Sequence, residues 1–406
     1  MSNSVLTIDT IATAAVAILD NELVMAKQVY RGLESEFTGT INGFEKGDTV
    51  SMRRPTDFTV RDGAVSVNQD IVEGKVALTV DKQKGIDFGF TSKELTLSIG
   101  ELSERVIKPA MVQLANQIDL DVMGLYKYVP NWVGTPGQKI DSYADFAKGP
   151  ERLDEYAVPN AGRSAVLSPS DHWGLLGSQT ALYIQDAAKG AYRNGSLGMI
   201  GGVDTYMAQN VPTHIVGSDT GGTVNGAVTA STVSYASVKD SMQQTITVAS
   251  LNLNPGDVFT IADVNAVNPV TKEDLGFAKQ FTVISYDSNS LTFYPAMIWD
   301  GAFQTVKVKD GVTDLDTKAI TALGTGGTGY RQNMVFNKNA FALAMVPLIS
   351  PPGATQVSRK TYKGTSVRLI PTYDGTNDKS NFRLDVLYGV KAIDPRQALR
   401  LSGTGA

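Results

Sequence analysis

A change of rhythm in the middle of this chain constrains its fold more than any other feature. From about residue 230 to 320 the helical period vanishes and short β-runs take over: "SMQQTITVAS", "DVFTIADV", "KQFTVISY" and "SLTFYPAM". The turns "NPGD" and "DSNS" punctuate them. Strands of this length at this spacing predict a small barrel or sandwich. A glycine-rich run flanks each side, "SDTGGTVNGAVTAS" before and "GTGGTG" after. Both read as linkers, which is how a domain inserted into a host chain is bounded. The expected class is α+β, with a β-rich module at 218–329 spliced into a larger fold.

The second run carries the literal spacing Gly324-x-Gly326-x-x-Gly329 of a dinucleotide fingerprint. That fingerprint needs a helix opening directly from it and an acid about 20 positions on. The flanking carboxylates are Asp316 and Asp374, so no acid stands where a ribose would be held. The following "YRQNMVFNKNAFALAMVPL" does not open as a capped helix. The glycines are read instead as a joint, where two backbones pass close together without a Cβ penalty. No cofactor is expected.

The host chain has its own order. Residues 1–48 form an amphipathic N-terminal arm, with Ile11, Val16, Leu19, Leu23, Ala26, Tyr30 and Leu33 at helical spacing. Residues 49–90 switch to a two-residue period in "DTVSMRRP" and "KVALTVDKQKGIDFGF". Between these strands lies a charged excursion holding Arg61, Asp62, Asp70 and Glu73, so the segment reads as an extended hairpin. It has too little apolar surface to stand alone and is expected to lie on a neighbour. Residues 91–129 carry one stripe, Leu102, Val106, Ala110, Leu114, Ile118 and Val122. A helix of roughly 27 residues there would span about 40 Å. Pro109 should start a new segment of it or kink it. Residues 130–217 read as a mixed α/β lobe, with Ser168 or Ser170 capping a helix. Residues 330–406 return to strong strands.

The search for chemistry finds little. The chain has 406 residues, no cysteine and two histidines, so thiolate sites are excluded and a transition-metal site is not expected. Ser170, Asp171 and His172 are adjacent, which is a helix start and not a triad. Asp314, Asp316 and "YDGTND" do not follow the ligand order of a calcium loop and read as Asx turns. No phosphate loop and no nucleophile elbow occurs. Net charge is −5 with no basic run, which argues against sequence-specific nucleic-acid binding. The apolar "IATAAVAIL" is preceded by Asp9, and the first basic residue is Lys27, so it lacks the positive start of a signal peptide. No apolar run is long enough to span a membrane. The chain reads as no enzyme. Arg53 and Arg54, beside Pro55, are candidates to hold a phosphate, but with acids nearby they read first as salt bridges across a protein interface; with Arg61, opposed by Asp62, Asp70 and Glu73, they offer charge complementarity.

This order of elements resembles the tailed-phage major capsid proteins of the Hong Kong 97 fold. The local runs "VIKPAMVQLANQID", "GRSAVLSPSDHWGLL", "GSLGMIGGVDTYMAQNVPTH", "NMVFNKNAFALAMVPL" and "RLDVLYGVKAIDPRQALRL" look most like the coat protein branch typified by a short-tailed Salmonella phage. The likeness covers most of the chain and is weakest in the insertion. It implies an N-arm, an extended hairpin (the E-loop), a spine helix, a peripheral domain and an axial domain, with a small inserted β-barrel. It implies a shell of pentamers and hexamers around double-stranded DNA, which is contacted non-specifically. It further implies a scaffolding protein and a portal as partners, and a virion component assembled in the host cytoplasm. Covalent cross-linking is not indicated. The rival readings are a tail tube or decoration protein, which leaves the spine helix and hairpin without a role, and a cofactor-dependent enzyme resting on the glycine run alone.

Overall fold

The computed structural model describes residues 8–404 apart from 38–39, 42–43, 46–47, 62, 67, 92–105, 180–196 and 352–356. Two compact units emerge, each built from separated stretches of chain. The first takes Met1–Val50, Ala77–Val122 and Ala342–Lys391; the second takes Ser51–Val76, Met123–Phe341 and Ala392–Ala406.

In the first unit the strand Lys379–Ala392 runs between Thr365–Asp374 and Lys82–Thr91, antiparallel to both. Phe88 and Phe90 fall on one side of their strand, and Phe88 stacks on Phe382 at 5.6 Å. The N-terminal helix Ile8–Glu22 buries Ile11, Ala15 and Leu19. It lies on this unit's own sheet, where the Ser358 hydroxyl donates to Asp9 Oδ1 at 2.5 Å. Behind it, Asp119 accepts the backbone N–H groups of Val24 (2.7 Å) and Ala26 (2.9 Å), donors that a short 3-10 turn leaves without partners. Burial pushes the Asp119 carboxyl above its usual range, and those hydrogen bonds offset part of the cost.

Among the described residues the predicted stripe is helical throughout, from Val106 to Val122. The spine helix is α-helical over Lys108–Met123 and tightens to a 3-10 turn at Gly124–Tyr128. Pro109 is the second residue of the α-helical stretch and follows a π-helical step at Val106 and Ile107, where the regular backbone ladder is already altered. The predicted part at 92–105 lies outside the described residues.

In the second unit a six-stranded mixed sheet runs in the order Asn131–Val133, Ala398–Leu401, Asn333–Asn337, Arg163–Leu167, Val203–Met207, Met199–Ile200. Three of its inner strands, Arg163–Leu167, Asn333–Asn337 and Ala398–Leu401, are buried along their whole length, which is why "RSAVL" and "NMVFN" show no two-residue alternation. The helix Tyr143–Glu155 contributes Phe146 and Leu153 to a core shared with Val335, Leu399 and Leu401. The helix Pro169–Gln179 is capped by Ser168, whose hydroxyl both donates to Asp171 Oδ2 and accepts the Asp171 N–H. The C-terminus closes the lobe: Trp132 Nε1 donates to Ser402 Oγ at 3.0 Å, and the Thr404 N–H donates to Asp145 at 3.1 Å.

The β-rich segment is a closed barrel. Its strands follow the order Asp274–Asp287, Ser290–Tyr294, Gln244–Ala249, Gly221–Val224, Ala319–Ala322, Val258–Val267, and the last pairs again with the first. Val306–Val308 is appended to Val258–Val267. Phe259, Phe281 and Phe293 fill the interior with ring centroids 5.1–5.5 Å apart. One expectation is corrected here. The run "SDTGGTVNGAVTAS" is not a linker, because Gly221–Val224 is a barrel strand. A Cβ on Gly222 would lie 2.5 Å from the Ala249 carbonyl oxygen and 2.5 Å from Leu251 Cγ, so close packing and not looseness demands the glycine.

At the other glycine run the backbones do approach closely. A Cβ on Gly326 would lie 2.4 Å from the Ser218 carbonyl oxygen. Gly329–Arg331 pairs antiparallel with Thr213–Ile215, His214 opposite Tyr330. The two ends of the β-rich segment therefore leave through one two-stranded ribbon.

Barrel and sheet are joined on one side by alternating rings and cations. The Arg152 guanidinium lies 3.5 Å over Phe277, Phe277 meets Tyr156 edge-on at 6.2 Å, and Lys279 sits 4.9 Å over Tyr156. Lys279 is 4% exposed, and no carboxylate pairs with it among the described residues. Burial, reinforced by Arg396 and Arg152, pulls its ammonium down to about 7. Burial pushes the Tyr156 phenol up to about 12.

Candidate assembly interface

The hairpin begins as a two-stranded ribbon of Thr49–Arg53 and Lys75–Thr79. Lys75–Thr79 alternates, burying Val76 and Leu78 and exposing the residues between them. From Arg54 to Gly74 the excursion has no regular strand, yet it is cross-braced. Gln69 accepts the Thr59 N–H at 2.9 Å and donates back to the Thr59 carbonyl at 2.6 Å. Arg61 donates to the carbonyls of Gly63 and Val65. A loop that satisfies its own polar groups this way is ordered without a core.

The charged candidates fall in different places. Arg53 and Glu73 come together as an ion pair of 3.0 Å across the ribbon, well exposed on both sides. Arg61 is turned into its own loop, and Asp70 is exposed on the excursion. Arg54 turns away from them, its guanidinium 3.5 Å from the Lys239 carbonyl. Asp62 lies outside the described residues. Sequence reading missed the apolar part of the surface. Phe58, Val60, Val65 and Ile71 stand 58–97% exposed on the same excursion. Apolar side chains this exposed in one segment make it a candidate interaction surface. The available signal was four large apolar residues in a polar loop, without the period of a buried face.

The other cluster with chemical potential is buried. His214 Nε2 lies 2.7 Å from Asp257 Oδ1, and His214 Nδ1 lies 3.1 Å from the Tyr126 hydroxyl. Asp257 Oδ2 accepts the N–H groups of Asn254 (2.6 Å) and Gly217 (3.0 Å). Beside them Arg400 donates to the Gly256 carbonyl (2.6 Å), Gln332 Oε1 (3.3 Å) and Thr282 Oγ1 (3.2 Å). Burial lowers Arg400 to about 9 despite the favourable field of Tyr126 and Asp257. A Tyr-His-Asp row resembles a relay, but His214 and Asp257 are 3% and 1% exposed and offer no face to a substrate. What it does is pair most of the polar groups where barrel meets sheet, although Arg400 Nε is buried without a hydrogen-bond partner. His172, the other histidine, is buried on its helix beside Trp173. The Asx readings of the acidic turns are present as hydrogen bonds: Asp314 accepts the N–H groups of Val228 and Asp316, and Asp374 accepts that of Thr376.

Comparison with known proteins gives a consistent answer. The family model described as "P22 coat protein - gene protein 5" matches residues 1–403. A major capsid protein of Acyrthosiphon pisum secondary endosymbiont phage 1 is 24% identical over 94% of each chain. A solved structure from Mycobacterium phage Che8 superposes on 95% of this chain and 92% of that one, at 14% identity and a TM-score of 0.50.

Proposed function

We infer the role of this chain from the family to which it belongs, the P22 coat proteins, whose family model runs through all but its last three residues. It is a phage major capsid protein of the Hong Kong 97-like fold carrying a small inserted barrel, a virion component of a kind that assembles into homo-oligomeric shells. The family match, from the N-terminal helix to the closing strands, carries this reading.

The finer reading goes further. The chain tiles an icosahedral head of pentamers and hexamers that encloses double-stranded DNA without reading its sequence. It assembles in the host cytoplasm with a scaffolding protein and a portal, and it performs no catalysis. The hairpin is the segment laid on a neighbouring subunit. Its exposed Phe58, Val60, Val65 and Ile71 supply apolar contact, and Arg53, Arg54, Arg61, Asp62, Asp70 and Glu73 supply complementary charge. Exposed ion pairs are worth under about 1 kcal/mol, so Arg53 and Glu73 can exchange an internal partner for an external one at little cost. Many weak contacts per subunit then add.

Negative-stain imaging of the purified chain tests this. Closed shells or capsomer rings are expected; long tubes or particles no larger than a dimer overturn it. Arg53→Glu should leave the melting temperature within about 1 °C of wild type, as a surface pair implies, while cutting shell yield several-fold. Shells in normal yield from that variant remove Arg53 from the interface.

A further inference from the structure

The base of the hairpin rests on the barrel of its own chain. The contact is specific and comes from both sides. The Lys75 N–H donates to Asp240 Oδ1 at 2.9 Å, and the Lys239 ammonium reaches the Glu73 carbonyl at 3.4 Å. Between them the backbones touch: a Cβ on Gly74 would lie 2.2 Å from the Lys239 carbonyl oxygen and 3.4 Å from the Tyr235 hydroxyl. The Arg54 N–H donates to the Gly74 carbonyl at 2.8 Å, which closes the loop just above this point. The excursion Ser51–Val76 accordingly clusters with the barrel-bearing unit, whereas the chain on both sides of it, up to Val50 and from Ala77, belongs to the other.

The gripping segment is itself fixed to the barrel. Tyr235 stacks face to face on Phe303, with centroids 3.4 Å apart and planes 3° from parallel. The Met242 carbonyl accepts the Ala296 N–H at 2.8 Å, and Met242 packs with Tyr294 and Ile298. Electrostatics run the same way: the Arg54 charge favours the ionised Asp394 carboxylate, and the Asp57 charge favours the protonated forms of Arg396 and Lys272.

We propose that residues 235–240 of the inserted barrel form a clamp for the hairpin base of the same chain, fixing the direction in which the hairpin leaves the subunit before any neighbour is present. Both partners are segments of one chain, so the contact needs no assembly to form. Its effect is preorganisation: a hairpin whose base is already ordered loses less entropy when its tip is covered. Asp240 is the main polar anchor, and its carboxyl is held below its usual range chiefly by the Lys75 amide.

Hydrogen exchange on the unassembled full-length subunit tests the clamp independently of any shell. Asp240→Ala removes the acceptor from the barrel side, and Gly74→Ala forces the backbones apart from the hairpin side. Both should speed exchange in peptides covering 51–57 and 72–78 by roughly five- to tenfold, as expected for loss of a local protecting contact. The barrel strands Gln244–Ala249 and Ser290–Tyr294 should keep wild-type rates. Asp310→Ala, at a carboxylate 99% exposed on the same barrel, should change nothing. Unchanged rates at the hairpin base in both variants overturn the proposal. So does faster exchange spread equally through the barrel, which would make residues 235–240 a stability element and not a clamp.

Discussion

Lys279 shows how a single side chain can be held at a cost. It is enclosed between the ring of Tyr156 and the cations Arg152 and Arg396, and burial outweighs the attraction of the aromatic face. Its folded value of about 7 lies well below the ordinary lysine value of about 10.4. Below pH 7 folded and unfolded chains both carry the proton, and the full cost is felt. Between about pH 7 and about pH 10.4 the unfolded chain binds more protons, so stability rises with pH. Lys279→Met keeps the packing and removes the charge. Calorimetry should find its melting temperature about 2–4 °C above wild type at pH 6, the shift that ~1 kcal/mol gives a unit of this size. Near pH 10 the two should converge. A lower melting temperature for the variant at both pH values would show that the cation–ring contact outweighs the burial cost.

At the scale of elements, Gly222 separates what a sequence period can reveal from what it cannot. Strands such as Gln244–Ala249 announce themselves, because one face meets the barrel interior and the other meets water. Gly221–Val224 carries two glycines and no alternation, so its strand character comes wholly from its neighbours. Strand propensity favours valine at such a site by up to ~1 kcal/mol. Contact with the Ala249 carbonyl opposes it. Gly222→Val is expected to destabilise the barrel by about 2–3 kcal/mol through overpacking, read as a lower urea midpoint with unchanged slope. The same limit hid the buried network. Tyr126, His214, Asp257 and Arg400 come from separate stretches of chain, and no local pattern joins them. The charged residues of the hairpin were legible as a group. Their division into an internal pair, a braced loop and a barrel contact was not, because that depends on which way each side chain turns.

For the whole molecule, the decisive arrangement is the ribbon formed by Thr213–Ile215 and Gly329–Arg331. A fragment of residues 213–331 retains this ribbon, whereas 217–329 loses it. Both should fold, since the barrel closes its own sheet and fills its own interior. The longer fragment should melt several degrees higher and cooperatively; equal melting temperatures would mean that the ribbon is held by the host sheet alone. The ribbon also changes how the rest of the chain experiences distance. Bringing Ile215 to Gly329 across an unfolded segment of over a hundred residues costs roughly 4 kcal/mol of loop-closure entropy. Once the barrel has formed, that cost is already met, and the strands Val203–Met207 and Asn333–Asn337 are separated by the equivalent of a tight turn. If the barrel closes first, the search by which the central sheet finds its own order should be shorter. Its kinetic signature would be a host lobe that condenses slowly whenever the barrel is prevented from closing first.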